Sequence, residues 1–337
     1  MQAYAKRSSP VFLFYSSGGF MQINNHFYGI DVSSRWLDIA SDHSQVIRID
    51  NTLDSVDLWL TGLPNNSVVA MEATSQYHLL VAKLAYSKGM RVYVLNPREV
   101  HHYARGVGRR QKSDKVDALL IKRYIEKEYD CLTAWTPPTE AQEKISILIK
   151  RRSHVVVQKQ SLTLSCKDIK HLSQELEVTL NALQKLADEL ERLILKEIKS
   201  NKQQAHLFNL LKSIPGIGKL TAAFFTNLLS HSQFKNADQL VCFMGMDLQF
   251  YDSGLMCSKR KLSKRGSSEA RRLLFNCARA ASQGKLKPLY ETYASRMNHT
   301  KSTVAVMRKL IKLIYGVWKS GISFDISKFQ SPLLNNA

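Results

Sequence analysis

The chain has 337 residues, 44% of them hydrophobic, and carries a formal charge of +20. That length suits about two domains, and that apolar fraction can bury a sizeable core, so a chain dominated by disorder is excluded. The 48 Lys and Arg against 28 Asp and Glu favour a polyanionic partner, while no run of about 18 apolar residues offers a membrane span.

Residues 1–25 read as an N-terminal extension. Lys6-Arg7 and Val11-Phe12-Leu13-Phe14 faintly resemble a secretion signal. The apolar stretch is too short, however, and Ser16-Ser17-Gly18-Gly19 interrupts it. Met21 is the alternative start.

From Phe27 onward strand and helix patterns alternate. Phe27 to Val32, Trp36 to Ala40 and Val46 to Ile49 read as three short strands, and Asp54 to Leu60 as a helix. Val68 to Met71 is a buried strand after the turn Pro64-Asn65-Asn66. Tyr77 to Ser87 has helical spacing and stops at Gly89. Arg91 to Leu95 is a strand ended by Asn96-Pro97, and Asp114 to Tyr124 is a helix. This order predicts a ribonuclease-H-like domain over 26–135, a mixed sheet flanked by helices. Pro137-Pro138 marks a boundary. Residues 140–205 then contain neither Gly nor Pro. Leu176, Leu183, Leu186, Leu190 and Leu193 recur there at three-to-four spacing, which predicts a coiled-coil helical hairpin or a plain bundle helix. Residues 206–325 predict a helical C-terminal domain, its last helix running roughly from Ser302 to Trp318.

Four carboxylates stand at element boundaries. Asp31 lies in the first strand, Glu72 ends the Val68-Val69-Ala70-Met71 strand, and Asp114 and Asp117 share one helix face at i and i+3. Mg²⁺ takes oxygen ligands in near-octahedral geometry, usually a few carboxylates plus phosphate oxygens. Two such ions about 4 Å apart stabilise the attacking and leaving oxygens of a phosphoryl transfer. In so basic a chain, these acids predict metal-dependent chemistry on nucleic acid. Any one of them alone would read as a solvated surface acid. The cysteines and histidines show neither CxxC nor HExxH spacing, which argues against zinc and fits a reducing cytosol.

A second group is Ile214-Pro215-Gly216-Ile217-Gly218-Lys219, a glycine turn between two helices. Such a turn exposes backbone N–H groups that can hold a phosphate, the helix-hairpin-helix mode of DNA contact. A third is basic: Lys259, Arg260, Lys261, Lys264, Arg265, Arg271 and Arg272 fall within fourteen positions, with one acid, Glu269. Its Gly and Ser punctuation favours phosphate binding over a plain solvated face. Just before it stands Ser253-Gly254. A serine hydroxyl needs a base or cation to become a nucleophile. By sequence alone Ser253 ranks level with Ser258, Ser263, Ser267 and Ser268.

These residues resemble the DEDD-type serine transposases of the "one-ten" insertion-sequence family, which includes a pilin-gene invertase. The resemblance runs from Phe27 to about Ser320. It rests on Gly29-Ile30-Asp31-Val32-Ser33, Met71-Glu72-Ala73-Thr74, Asn96-Pro97, Lys112-Ser113-Asp114-Lys115-Val116-Asp117-Ala118, the Pro-Gly-Ile-Gly turn, the Ser-Gly step and the Lys-x-Ser-Lys-Arg-Gly stretch. Ser75-Gln76-Tyr77 departs from it, where the family often has glycine before the aromatic. The resemblance implies a RuvC-like catalytic domain, a coiled coil and a C-terminal transposase domain. It implies Asp31, Glu72, Asp114 and Asp117 as ligands of Mg²⁺ (or Mn²⁺), and Ser253 as the nucleophile of a covalent phosphoserine link to DNA. It further implies a homodimer or homotetramer in which serine and carboxylates come from different subunits, and a bacterial cytoplasmic, nucleoid-associated setting. Many members choose their DNA with a structured bridge RNA, so such an RNA is an admissible partner.

The residues leave three other classes open. A junction-resolving nuclease would use the same carboxylates with metal-activated water and no serine. An inactive DNA- or RNA-binding protein would show no metal requirement. A sugar-kinase or actin-like ATPase also opens on a Gly-Ile-Asp strand, but its second glycine-rich phosphate loop is missing here and the charge does not suit it.

Overall fold

In the computed structural model the described residues are 25–42, 45–74, 76–108, 114–169, 173–249 and 261–327. The expected N-terminal extension lies outside them apart from its last residue. The chain divides into two compact units, Met1–Pro137 and Pro138–Ala337.

The first unit is built on five strands: β1 (His26–Val32), β2 (Trp36–Ala40), β3 (Ile47–Asp50), β4 (Ser67–Glu72) and β5 (Arg91–Leu95), in the spatial order β3-β2-β1-β4-β5. β1, β2 and β3 pair antiparallel, while β4 and β5 join parallel to β1. The sheet is therefore mixed, as the sequence predicts. Its helices are α1 (Leu53–Thr61), α2 (Leu79–Ser87), α3 (Pro97–Gly106) and α4 (Asp114–Glu128). Alternation along the strands sends apolar residues to two cores. Ile30, Val32, Val69 and Met71 join Val56, Leu60, Val81 and Ala85 on one face; Val68, Ala70, Tyr93 and Leu95 join Leu120, Ile121 and Ile125 on the other.

Helix α3 departs from the expected element order. Asn96-Pro97 reads as a strand stop, but it is also a helix start. The Asn96 side chain accepts from the Arg98 N–H, and Pro97 takes the first helical position, where its missing donor costs nothing.

The second unit opens with α5 (Glu140–Ser165) and α6 (Ser173–Ser200). Thr139 and Gln142 form a capping box at the start of α5. Ion pairs Lys144–Glu197 and Arg152–Glu191 and a Lys159–Gln184 hydrogen bond step up one helix and down the other, so the two run antiparallel. The buried stripe on α6 is Ala187, Ile194 and Ile198. Leu186, counted in the predicted leucine stripe, is exposed. Ile145, Ile149, Ile194 and Ile198 join one core with residues of the helices that follow. Those are α7 (Lys202–Lys212), α8 (Lys219–Leu229), α9 (Ala237–Phe243), α10 (Ser268–Gln283), α11 (Lys287–Ala294) and α12 (His299–Ser320), with a two-stranded ribbon of β6 (Leu248–Gln249) and β7 (Lys261–Leu262). Asn298 caps α12, and Gly321 ends it in the left-handed conformation. No helix among the described residues is long and apolar enough to cross a membrane.

Candidate active site

Sheet register brings the first two acids together. Ile30 pairs with Met71 across the parallel β1–β4 ladder, so Asp31 and Glu72 stand one step further along, on neighbouring strands. The other two arrive on α4, which begins at Asp114. That helix lies against β1 at Gly29. A Cβ built there would sit 2.2 Å from the Lys122 nitrogen and 2.4 Å from the Ala118 carbonyl oxygen. Only glycine allows this approach. Ala118 directly follows Asp117, so the contact carries the start of α4 toward the end of β1.

Asp31 records the result electrostatically. Its carboxyl is pushed up to about 6 from an ordinary 3.8, first by burial and then by the charges of Asp117, Asp114, Glu72 and Asp38. The structure thus brings all four sequence-predicted acids within electrostatic reach of one point. Among the described residues no three His, Cys, Asp or Glu side chains form a ready-made metal cage. Asp114 is instead engaged by Arg48, whose Nη2 donates to its Oδ2 over 3.2 Å. The donor set, hard carboxylate oxygens whose mutual repulsion a divalent cation would relieve, fits a hard divalent ion.

Sequence reasoning missed Asp38 and Arg48. Asp31 pairs with Asp38 and Asp38 with Arg48, a polar row across three strands. The Asp38 side chain is almost fully buried. It accepts a fork from Arg48, Nε to Oδ1 at 2.9 Å and Nη2 to Oδ2 at 2.7 Å. The available signal was Asp38 in the middle of the otherwise apolar β2; Arg48 sits in an alternating strand and gave none.

In the second unit the predicted phosphate-binding residues separate into groups. Gly216 has φ +87°, and a Cβ there would meet the Cys277 carbonyl oxygen at 2.6 Å and the Ala281 Cβ at 2.7 Å. Its freedom therefore serves the packing of the turn on α10. Pro215 is half-buried beside it. Gly218 caps α8 without a side chain in the way, and it and Lys219 are exposed. Those two residues retain the open helix N-terminus that the phosphate reading needs.

Lys261, Lys264 and Arg265 are exposed. Arg271 turns inward and donates to the Gly266 carbonyl at 2.6 Å. Arg272 pairs with Glu269, its Nε 2.9 Å from the carboxylate. Ser263 is buried and bonds Asp247, and Ser267 caps α10 by accepting from the Ala270 N–H. Ser253, Ser258, Lys259 and Arg260 lie outside the described residues. They fall in the sequence between β6 and β7, where Leu248 pairs with Leu262 and Gln249 with Lys261.

A mixed five-stranded sheet with acids at the end of its central strand is consistent with a ribonuclease-H-like domain of the DEDD transposase class. Residues 29–177 match a transposase family model, DEDD_Tnp_IS110, and residues 208–294 match a second, described as the transposase IS116/IS110/IS902 family. The chain is 28% identical over 327 residues to a pilin gene-inverting protein of Moraxella bovis, a span covering 89% of this chain and 97% of the relative. It is 29% identical to the pilin gene-inverting protein of Moraxella lacunata, with the same coverage. It is also 23% identical to the transposase for insertion sequence element IS1328 of Yersinia enterocolitica, over 77% of this chain and 85% of that one. The two matched regions are IS110-family transposase domains, and the chain is a DNA recombinase of the transposase and invertase type. The model matching residues 29–177 is named for its acidic residues, DEDD, so the class is DEDD transposase and the expected "serine" label of the class is dropped. DEDD domains depend in general on divalent metal.

Proposed function

We propose that this recombinase cuts and rejoins DNA by transesterification. Asp31, Glu72, Asp114 and Asp117 hold Mg²⁺ (or Mn²⁺), and Ser253 is the attacking group. The observation that carries the carboxylate half is Asp31, whose raised proton affinity has the other three acids among its causes. A bound divalent ion would neutralise the scissile phosphate and the oxygens entering and leaving it. The chain's own residues do the rest. The Ser253 hydroxyl loses its proton as it forms a P–O bond, and one sugar oxygen leaves and takes up a proton to become a free hydroxyl, so the phosphodiester count is conserved and the strand can be rejoined. Ser263 and Ser267, two of the four rival serines, already have structural bonds. The Ser253 segment is also flanked by exposed Lys261, Lys264 and Arg265, which suit a phosphate backbone.

Gly218, Lys219 and these three cations are the proposed DNA contacts, with Lys259 and Arg260. Pro215, Gly216, Arg271 and Arg272 support them. A homodimer or homotetramer would bring the serine of one subunit to the carboxylates of another, and a structured guide RNA would supply the choice of DNA.

DNA substrate incubated with Mg²⁺ and resolved on a denaturing gel tests the chemistry. The wild-type chain should leave protein-linked DNA, and Ser253→Ala and Asp31→Asn should not. Free nicks that persist in Ser253→Ala would instead identify metal-activated water as the nucleophile. Mixing Ser253→Ala with Asp31→Asn tests the assembly, because recovery of product requires two chains to share one site.

A further inference from the structure

The carboxylate that α4 contributes first, Asp114, is not left to solvent. Arg48 of β3 reaches it from a fixed base. Two short bonds tie the Arg48 guanidinium to Asp38 at 2.7 and 2.9 Å, and its Cζ lies 4.9 Å over the Trp36 ring. A bidentate fork on a buried carboxylate, backed by an aromatic face, fixes the position and plane of the group. The same Nη2 then extends a third, longer bond of 3.2 Å to Asp114, 66 residues away in the chain. The side chain of Asp38 is 2% exposed and that of Asp114 is 60% exposed. The two arms are therefore unequal. Breaking the Asp38 arm would strand a buried charge, whereas breaking the Asp114 arm returns an exposed carboxylate to water.

We infer that Arg48 is a positioning residue of the DEDD site, holding Asp114 through its Asp38 anchor when no metal is bound and yielding that carboxylate to the entering divalent ion. This rests on the carboxylates being the metal ligands, as proposed above. A guanidinium and a divalent ion want the same oxygens, and the Oδ2 that faces Arg48 is hydrogen-bonded while the latch is closed. The latch also sets a positive charge against Asp114, the one proposed ligand that Arg48 touches. On opening, Arg48 stays on Asp38, so the exchange costs no buried charge. A purely structural Arg48 would need the Asp38 fork alone; the third bond links it to the metal chemistry.

Mn²⁺ binding to the full-length chain without DNA, followed by titration calorimetry, tests this without any turnover. Asp31→Asn locates the site, since it should abolish the carboxylate-dependent binding. Arg48→Lys keeps the charge but replaces the fork with a single ammonium that stays with buried Asp38. The double variant Arg48→Gln/Asp38→Asn replaces the ion pair with an amide pair and also leaves the net charge unchanged. Both variants release Asp114 without altering the net charge of the chain. Each should bind Mn²⁺ about two- to fivefold more tightly than wild type, the factor for one exposed ion pair. Using two variants guards against one of them failing to fold. Equal or weaker binding in a folded variant overturns the latch while leaving the metal site standing. Wild-type binding that Asp31→Asn does not change overturns the metal site itself, and the latch with it.

Discussion

Replacing Asp31 by asparagine should stabilise the metal-free protein while destroying its chemistry. Asp31 is half-buried among like charges, and its carboxyl is held at about 6 rather than 3.8. A folded-state pKa above the unfolded one means that protonation favours the fold. The ionised group therefore costs stability above about pH 6, and the cost disappears as pH falls below the ordinary carboxylate value. A displacement of roughly two pH units would be worth about 3 kcal/mol in a fully shielded site. Because the group is only half-buried, solvent screening reduces this to about 1–1.5 kcal/mol. For a unit of this size that is a rise of roughly 3–5 °C in the melting transition. The assay is calorimetric unfolding of both proteins in EDTA at pH 7.5 and at pH 4. Asp31→Asn should melt higher at pH 7.5, and the two should converge at pH 4. Saturating Mg²⁺ should shrink the gap at pH 7.5, because only the wild type retains the ligand. An Asp31→Asn protein no more stable than wild type at pH 7.5 in EDTA would refute the convergence of the four acids on this point.

Gly29→Ala should destabilise the first unit by about 2 kcal/mol or more, seen as a lower urea midpoint, because α4 must move off β1 to admit the methyl group. Gly106→Ala meets nothing within 4 Å, so the same measurement should change by less than about 1 kcal/mol. Gly216→Ala combines a left-handed backbone with contacts under 3 Å to the Cys277 carbonyl oxygen and the Ala281 Cβ. It should lower the stability of the second unit whether or not DNA is present, which separates its packing role from a phosphate role. Lys264→Gln and Arg265→Gln should each lower the slope of log binding constant against log salt by about 1 on duplex DNA. Arg271→Gln, whose guanidinium holds the Gly266 carbonyl, should lower stability more than it lowers that slope.

The sheet was legible because each strand carries its own signal. The Phe27–Val32 and Val68–Met71 patterns recur as β1 and β4 within a residue or two. The four acids were legible for the same reason, since strand ends and an i, i+3 pair need no tertiary knowledge. What stayed hidden was every feature that depends on a distant partner. Asn96-Pro97 fits both a strand stop and a helix cap, and only the chain's return in α3 decides between them. Leu186 fits the leucine spacing, but the buried stripe of α6 passes through Ala187, Ile194 and Ile198 instead. Ser263 looked as available as Ser253 until Asp247, sixteen residues earlier, took its hydroxyl.

Asp38 and Arg48 are the clearest instance. Each is an ordinary charged residue within its own strand; Asp38 interrupts the apolar run of β2, whereas Arg48 fits the apolar-polar alternation of β3 and so gives no signal of its own. Burying Asp38 without a partner would cost several kcal/mol. The antiparallel register supplies Arg48 directly opposite, and the same register places Asp31 on its other side. An ion pair with one buried member, Asp38, next to a proposed metal site is thus the residue-level consequence of one hairpin register. Shifting that register by one residue would turn Asp38 to the other face of the sheet, leaving Arg48 without its anchor and Asp114 without its contact. The geometry of this site therefore depends on β2 and β3, which contribute none of the four proposed metal ligands, as directly as on the elements that carry the acids.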